Sequence, residues 1–330
     1  MDKEFKALRI REENGEYKRE IVSRKIEDLP EGEVLIRVRY SSLNYKDALS
    51  VSGNKGVTRN YPHTPGIDAA GVVEESSSDK FKVGDEVIVT SYDLGMNTDG
   101  GFSDYIRVPA NWVVALPKEL SFRDAMIYGT AGFTAALSVY KLLASGQTPE
   151  MGPVVVTGAL GGVGSIAISI LSSLGFEVTA ATFDATGDEE VLNELGASNR
   201  ISKDITDDQS GRPLLRPLWA GAIDVIGGNT LHTLLKACKP MGSVTCCGNV
   251  GSGDLPMTVY PFILNGISLI GIDSQNCPME LRQKVWDKLA AEWNVYKHKE
   301  QVIESSLEDL NEYIDLMLQK KSKGRVIVKL

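Results

Sequence analysis

The sequence predicts an α/β protein with two domains, one rich in β-strands and one built on a doubly wound parallel sheet. Its 330 residues exceed what a single hydrophobic core usually supports. Short alternating strands separated by Gly, Asp, Ser and Pro occupy the first third, a pattern typical of a compact barrel-like domain. From Val154 onward, continuous apolar strands alternate with helices, which predicts a parallel sheet covered on both faces.

In the first third, apolar and polar residues alternate as they do in half-buried strands. This alternation predicts strands at 6–11 and 34–40, separated by the turn residues 29–32. Shorter strands are predicted at 66–73, 86–90 and 105–108. Residues 122–143 are rich in Ala and Leu and lack proline, so they are predicted to form a long helix.

The rest of the chain alternates strands with helices and then returns to a mixed pattern. Strands are predicted at 154–157, 178–182, 222–227, 244–248 and 267–273, and helices at 164–174, 189–195 and 230–238. In the tail, helices at 279–293 and 307–319 flank a strand near Val302, and the segment GRVIVKL closes the chain.

Composition and charge exclude several classes of protein. Lys and Arg number 35 against 44 Asp and Glu, so the net charge is −9, which argues against a nucleic-acid partner. No stretch approaches the roughly 20 apolar residues that cross a bilayer, and the charged N-terminal segment lacks the apolar core of a secretory signal. The four cysteines show no metal-ligand spacing, which is typical of reduced thiols in a cytoplasmic protein.

The segment from Val154 to Val178 carries the strongest functional signal. A strand ends at Thr157, a glycine-rich turn follows, and a helix begins at once. Glycine allows a tight turn and a close approach of the backbone to a pyrophosphate, which the helix N-terminus then binds through its free N–H groups. This Rossmann arrangement predicts a dinucleotide site at Leu160, Gly161, Gly162, Val163 and Gly164.

The choice between NAD and NADP depends on the end of the second strand of this unit. Asp184 lies about 20 residues beyond the glycines, where an acid binds the ribose hydroxyls of NAD. Thr186 and Glu189 have the spacing of a capping box, so this stretch has a structural interpretation as well. Thr182 ends the strand, and Lys203 is the nearest downstream cation that could bind the 2′-phosphate of NADP.

Several motifs together resemble a known family. These are SSLNYKDALSVSG, YPHTPGIDAAGVV, KVGDEVI, GGFSDY, GTAGFTAALS, TGALGGVG, YPFIL…GIDS and the terminal GRVIVKL, which run in order from about residue 5 to 330. They resemble the zinc-free medium-chain dehydrogenase/reductase superfamily, and within it the YhdH/YhfP-type quinone oxidoreductase-like branch. That branch includes NADPH-dependent acrylyl-CoA reductases.

The resemblance implies an architecture, a cofactor and an assembly. It implies a GroES-like catalytic domain formed by 1–125 and 269–330, with a Rossmann cofactor domain at 126–268 and a substrate cleft at their junction. It also implies NADPH as the cofactor, a small-molecule substrate and a homodimer joined through an edge strand from Ile267 to Ile272. An exposed apolar edge strand is a liability unless it is paired, so such a dimer is physically reasonable.

The site chemistry is predicted to work without a metal. Ile67 and Asp68 stand where the zinc enzymes of the superfamily carry a His-Glu pair, and no four-cysteine lobe is present. Without a metal to polarise an alcohol, hydride transfer to an activated C=C bond or to a quinone remains.

The resemblance also indicates the site residues. Asn44, Tyr45 and Asp47 match the cofactor-proximal NYKD motif and are the candidate catalytic groups. Tyr45 is predicted to pack against the nicotinamide, with either Tyr45 or solvent as the proton donor, whereas Asp47 has capping of the loop as its alternative role. The candidate cofactor contacts also include Thr130 for the carboxamide, and Asn249 and Ser274.

One departure from the branch leaves the cofactor open. Members of the branch carry Ser-Gly-Arg after the second Rossmann strand, where this chain has Thr182-Phe183-Asp184. A carboxylate in place of a guanidinium disfavours a 2′-phosphate, so NADH remains an alternative to NADPH.

Three functions remain at this point. They are reduction of short enoyl thioesters or enones, reduction of quinones, and dinucleotide binding without turnover. For coenzyme A thioesters, the candidate phosphate-binding cations are Lys46, Lys55 and Arg59.

Overall fold

The computed structural model describes residues 4–182, 188–295 and 301–330. These residues divide into two compact units, the first drawn from 1–130, 275–290 and 299–330 and the second from 131–274 and 291–298. The domain limits given in the sequence analysis, 1–125 with 269–330 and 126–268, remain a prediction.

The described strands and helices are numbered separately in chain order. The strands are β1 (Glu4–Glu13), β2 (Glu16–Lys25), β3 (Val34–Ser42), β4 (Asp68–Ser76), β5 (Glu86–Thr90), β6 (Tyr105–Val108), β7 (Val113–Ala115), β8 (Val154–Thr157), β9 (Val178–Thr182), β10 (Asn199–Ser202), β11 (Trp219–Asp224), β12 (Cys238–Cys246), β13 (Ser268–Gly271), β14 (Val302–Ser305) and β15 (Arg325–Lys329). The helices are α1 (Tyr45–Val51), α2 (Phe122–Ala144), α3 (Gly162–Ser173), α4 (Glu189–Glu194), α5 (Gly228–Lys236), α6 (Tyr260–Asn265), α7 (Met279–Ala290) and α8 (Leu310–Leu318). None of these described helices is both long and apolar enough to cross a membrane.

The first unit contains a mixed sheet of seven strands and a separate hairpin. The strand order is β14-β15-β3-β4-β5-β7, and β6 also pairs with β3. Val34, Ile36 and Val38 lie on one face of β3 and are buried in a core shared with β4, β5 and β6. This arrangement confirms the β-rich domain that the short alternating strands predicted.

The hairpin partner β2 was not predicted. It pairs with β1 along its whole length, from Glu4 opposite Lys25 to Glu13 opposite Glu16. None of its residues is buried, so its sequence lacks the apolar alternation by which a half-buried strand is recognised. Backbone pairing with β1 makes this segment a strand.

The second unit is built on a parallel sheet of six strands. The strand order is β10-β9-β8-β11-β12-β13, and every neighbouring pair is parallel. All residues of β8 and β9 are buried, as expected inside a sheet that is covered on both faces. The chain order reverses between β8 and β11, which is where open α/β sheets bind their ligands. The predicted doubly wound sheet is confirmed.

Some predicted boundaries in the second unit were wrong. The strand predicted at 222–227 is β11, which ends at Asp224 because Gly227 and Gly228 adopt φ angles of 73° and 57° in the following turn. Helix α5 therefore begins at Gly228 and ends before Cys238, which already opens β12. Four elements of seven residues or fewer, α1, β7, β10 and α6, were not predicted because each is too short for a clear period.

Candidate functional site

The glycine-rich turn between β8 and α3 has the geometry of a phosphate-binding loop. Strand β8 ends at Thr157, Gly161 is the N-cap of α3, and the helix begins at Gly162. Gly158 has a φ of 58°, a left-handed value that favours glycine. A Cβ on Gly164 would collide with the carbonyl group of Gly158, so the tight packing of helix start against strand end requires glycine there.

This helix N-terminus has the features that a dinucleotide pyrophosphate needs. Helix α3 has 12 residues and no acidic residue in its first turn, and no side chain caps Gly161. The first peptide N–H groups of a helix have no intrahelical acceptor, and the helix dipole favours an anion beside them. Leu160, Gly161, Gly162 and Val163 are only half-buried, so a ligand can reach their backbone. The residues present fit the predicted cofactor.

Asp224 holds the neighbouring strand end next to this loop. Its carboxylate accepts a hydrogen bond from the Thr157 hydroxyl at 2.8 Å and from the Gly227 N–H at 2.7 Å. Burial raises the pKa of Asp224. The residue therefore joins the ends of β8 and β11, the two strands between which the chain order reverses. Sequence reasoning missed it, although an Asp at the end of a buried apolar strand was a visible signal.

The ends of β9 and β10 bear on the choice between NAD and NADP. Thr182 is buried at the end of β9 and pairs with Ser202 of β10, and Lys203 follows as an exposed residue. Lys203 therefore lies beside the end of β9, where a ribose 2′-substituent is expected. Asp184 and Thr186 lie outside the described residues.

Asn249 and Ser274, two further candidate cofactor contacts, lie near the ends of β12 and β13, at the carboxyl edge of the parallel sheet. Asn249 is exposed in the loop after β12. Ser274 is half-buried after β13, and its hydroxyl oxygen accepts a hydrogen bond from the Thr134 hydroxyl at 2.8 Å.

In the first unit, the NYKD motif forms the start of α1. Asn44 is the N-cap, and Asp47 closes a capping box by accepting the Asn44 N–H at 2.7 Å. The other carboxylate oxygen of Asp47 accepts the N–H groups of Gly66 at 3.1 Å and Ile67 at 2.8 Å. Asp47 has no exposed surface, and burial first and the charge of Asp68 second raise its pKa to about 7. These contacts match the loop-capping alternative for Asp47.

The other motif side chains differ in exposure and partners. Tyr45 is the first residue of α1 and is half-buried. The Lys46 ammonium donates a hydrogen bond to the Gln275 side-chain oxygen. Lys55 forms an ion pair with Glu12 at 2.8 Å, so this candidate for a coenzyme A phosphate is already engaged. Arg59 is exposed.

A fully buried carboxylate, Asp68, lies at the centre of the motif residues in this unit. One of its oxygens accepts hydrogen bonds from the Ser42 hydroxyl at 2.6 Å, the Asn44 amide at 2.7 Å and the Thr130 N–H at 2.8 Å. The other oxygen accepts the Thr130 hydroxyl at 2.6 Å. The sequence analysis named Asp68 only because it stands at a zinc-ligand position. In the structure, its hydrogen bonds join Ser42, Asn44 and Thr130.

Arg325 of β15 supplies positive charge to this cluster. It is 3% exposed and donates to the carbonyl of Ile127 at 2.8 Å and to the Ser42 hydroxyl at 2.9 Å. Ser42 in turn donates to Asp68, so one hydroxyl bridges the guanidinium and the carboxylate. The sequence analysis included this residue only as part of the terminal GRVIVKL motif and assigned it no role.

A kink in α2 brings Thr130 to Asp68. Gly129 has φ 48° and ψ −153°, which are not helical values. A Cβ there would lie 2.5 Å from both a carboxylate oxygen of Asp68 and the hydroxyl of Ser42. At this kink the N–H of Thr130 donates to Asp68, and the positive φ of Gly129 favours glycine. The predicted helix is therefore present, but it is interrupted at the residue before a candidate site residue.

Within residues 4–182, 188–295 and 301–330, no three His, Cys, Asp or Glu side chains group together as a metal site would require.

Comparisons with known proteins place these features in a family. Residues 30–118 match the alcohol dehydrogenase GroES-like domain, and residues 162–291 match the zinc-binding dehydrogenase family. The chain is 45% identical to the Bacillus subtilis protein YhfP, which carries the name of a quinone oxidoreductase, over 99% of both chains. It is 42% identical to acrylyl-CoA reductase AcuI of Ruegeria pomeroyi over 96% of both chains.

Solved structures agree with the sequence comparison. The YhfP crystal structure, which contains NAD, superposes with a TM-score of 0.96 and covers 99% of this chain and 100% of that one. The yhdH oxidoreductase of Salmonella enterica in complex with NADP has a TM-score of 0.95 and 40% identity, and the match covers 98% of this chain and 99% of that one.

Proposed function

Because the chain belongs to the YhdH/YhfP-type branch of the medium-chain dehydrogenase/reductase superfamily, we propose that it reduces the activated C=C bond of short enoyl thioesters such as acrylyl-CoA, or of enones. The observation that carries this function is the glycine turn that opens α3, where packing demands glycine and the helix N-terminus accepts a pyrophosphate. The family and this turn together identify the protein as an NAD(P)H-dependent oxidoreductase.

We propose NADPH as the preferred cofactor. Its support is Lys203, an exposed cation beside the end of β9, together with the NADP bound by the Salmonella relative. NADH remains the alternative because Asp184 replaces the arginine expected from the branch, and because YhfP was solved with NAD.

The proposed division of work among the residues follows from their chemistry. When bound, the reduced nicotinamide supplies the hydride. The N–H groups of Gly162 and Val163 would bind the pyrophosphate, and Tyr45 would pack against the nicotinamide ring. Thr130 and Ser274 contact the cofactor through their hydroxyls. Negative charge develops on the substrate carbonyl oxygen as the β-carbon is reduced, and a proton from Tyr45 or solvent completes the reaction at the α-carbon.

Two site residues are given supporting roles in this proposal. Asp47 caps α1 and holds the Gly66 and Ile67 N–H groups, so it orients the loop and does not act on substrate. Asn44 is held by Asp68 and by the capping box, which fixes the residue before Tyr45.

A screen of acceptors tests the function. NADPH and NADH oxidation would be followed by absorbance with acrylyl-CoA, crotonyl-CoA and simple quinones as acceptors. We expect turnover of acrylyl-CoA with a higher kcat/KM than for any quinone. The name of YhfP favours quinone reduction as the second candidate, and faster quinone turnover would replace the leading proposal with it. Cofactor binding without oxidation by any acceptor would leave only the non-catalytic interpretation.

We also propose a homodimer formed through β13 in the cytoplasm, where four thiols such as these stay reduced. Strand β13 is the last in the order of its sheet and so has an edge available for pairing with a second copy. Apolar side chains nearby in the chain or in the sheet are largely exposed: Met241 (71%), Val259 (62%), Ile263 (67%) and Leu264 (63%). Such exposure is costly unless a partner covers it.

The dimer is tested by light scattering after size exclusion. The wild type is expected at twice the 35.8 kDa of one chain, and the double variant Ile263→Asp, Leu264→Asp at one chain. Ile205→Asp, at another exposed apolar residue, is the matched control and should stay dimeric. A monomeric wild type would contradict the proposal.

A further inference from the structure

We propose that Asp224 is a positioning residue for the phosphate-binding turn, and that it acts on this turn through Thr157. This inference deepens the proposed function and rests on it. Asp224 has no exposed surface and ends β11, whereas Thr157 ends the neighbouring strand β8. The two side chains therefore meet at the carboxyl edge of the parallel sheet, directly before the turn that leads into α3.

The hydrogen bonds of these side chains tie the two strand ends together. The Thr157 hydroxyl donates to one carboxylate oxygen of Asp224 at 2.8 Å and accepts the Val225 N–H at 3.0 Å. A hydroxyl offers one hydrogen and two acceptor positions, so Thr157 makes both bonds at once. The other carboxylate oxygen accepts the Gly227 N–H at 2.7 Å. Because Val225 follows Asp224 in the chain, these bonds close a ring between β8 and β11.

This ring sets the position of Gly158, the first residue of the phosphate-binding turn. Gly158 has a φ of 58°, and a Cβ there would lie 2.5 Å from a methyl group of Val225. The turn therefore packs directly on the residue whose N–H binds Thr157. Gly158 is thus held from two sides, through its bond to Thr157 along the chain and through its contact with Val225.

Gly158 in turn fixes the start of α3. Its carbonyl oxygen accepts the Gly161 N–H at 2.9 Å, and a Cβ on Gly164 would lie 2.3 Å from the same oxygen. Gly161 is the N-cap of α3, so the direction of the next N–H groups, those of residues 162–163, follows from its position. A continuous series of hydrogen bonds and close contacts therefore connects Asp224 to the groups proposed to bind the pyrophosphate.

Strand β11 and its following turn are also held from the side opposite to β8. The Cys247 N–H donates to the Asp224 carbonyl at 3.0 Å, and the Gly251 N–H donates to the Ile226 carbonyl at 2.8 Å. Both donors belong to the segment after β12, the other neighbour of β11 in the sheet. The Asp224 segment is therefore a fixed support against which the glycine turn packs.

The proposal predicts which parts of the cofactor depend on Asp224. The fragment 2′-phospho-ADP-ribose carries the pyrophosphate of NADPH without the nicotinamide, and adenosine 2′-phosphate carries neither. Because Asp224 acts through the turn, its loss should weaken the ligands that contain a pyrophosphate and spare adenosine 2′-phosphate. A general loss of folding would weaken all three ligands alike.

Dissociation constants of variants at the two positions test this dependence. Asp224→Ala and Thr157→Val should each raise the Kd of NADPH and of 2′-phospho-ADP-ribose about tenfold, the effect of one good hydrogen bond. The Kd of adenosine 2′-phosphate should change less than about twofold. Thr157→Ser keeps the hydroxyl and should keep the wild-type Kd for all three ligands. Calorimetry measures these constants, and the same ligands without the 2′-phosphate are used if the wild type prefers NADH.

A double variant and a matched control complete the test. Because Asp224 acts through Thr157, adding Thr157→Val to Asp224→Ala should raise the Kd less than about twofold further. Thr179→Val removes the hydroxyl of another buried threonine of the same sheet, in β9, and should bind all three ligands as the wild type does. The comparison of Thr157→Val with Thr157→Ser decides the question even if Asp224→Ala does not fold.

The outcomes separate this inference from the proposed function. Wild-type protein that binds neither a dinucleotide nor its ADP-ribose fragment contradicts the proposed function. The inference alone is overturned, and the function stands, if the wild type binds both but the variants keep its Kd or lose all three ligands equally. Full additivity of the two substitutions in the double variant would overturn it as well.

Discussion

Replacing Asp47 by Asn should remove a large pH dependence of folding. The Asp47 carboxylate is fully buried beside Asp68 and accepts three peptide N–H groups. Burial and the negative charge of Asp68 raise its pKa, the three hydrogen bonds oppose the rise, and the pKa in the folded protein is about 7. The ordinary value for Asp is 3.8.

The sign and size of the effect follow from linkage. Because the folded pKa is higher, the folded chain keeps a proton that the unfolded chain has already lost between pH 4 and 7. The stabilising contribution is therefore complete below the unfolded pKa and declines as the pH rises through the folded pKa. For the pKa of about 7, the free energy of unfolding loses about 3 kcal/mol between pH 5 and pH 8 through this one group.

Urea denaturation followed by circular dichroism, at pH 5 and pH 8, measures this effect. Taking the difference between wild type and Asp47→Asn at each pH cancels the contributions of the titrating groups that do not interact with Asp47. The amide of the variant has one acceptor oxygen in place of two, so the variant loses at least one of the three backbone N–H bonds at both pH values. An identical pH dependence in wild type and variant would refute the assignment, and Asp85→Asn serves as the exposed control.

Two further predictions concern the dinucleotide site. Gly164→Ala places a methyl group against the Gly158 carbonyl and should raise the Kd for NADPH and NADH more than about tenfold. Gly253→Ala is the control, because the new methyl group meets only Asn249, at 3.9 Å, and this variant should keep the wild-type Kd. Calorimetric titration measures the Kd of both variants. Unchanged binding by Gly164→Ala would contradict the proposal that this glycine-rich turn binds the pyrophosphate. Lys203→Ala should weaken NADPH about tenfold and leave NADH unchanged, and an equal loss for both would exclude a 2′-phosphate contact.

The fold was largely predictable because its strongest signals are local. The β8–α3–β9 unit lies within two residues of its predicted limits, since an apolar run and closely spaced glycines act over a few residues. Strand β2 was missed because it carries no buried residue and depends on pairing with β1. Likewise, the helix at 122–143 was predicted, but the break at Gly129 depends on Asp68, which is distant in sequence.

The candidate site shows the same division. Motif residues such as Asn44, Thr130 and Gly164 could be named from the sequence because each belongs to a short, recognisable segment. The roles of the residues around the NYKD motif could not be assigned from such segments. The sequence left Asp47 as either catalyst or cap, and the structure adds three backbone N–H contacts of the kind that a cap makes.

The sequence by itself determined the pair of architectures and the glycine-rich turn, which follow from local spacing and periodicity. It also indicated the family, through short motifs that resemble those of the family. Only the tertiary structure decided which groups Asp68 and Arg325 contact, because hydrogen bonds join them to segments far along the chain. Arg325 reaches Ser42 across 283 positions, and Thr130 reaches Asp68 across 62. Whether a buried carboxylate is neutral or charged, and which hydroxyl it orients, depends on donors that meet only after the chain has folded.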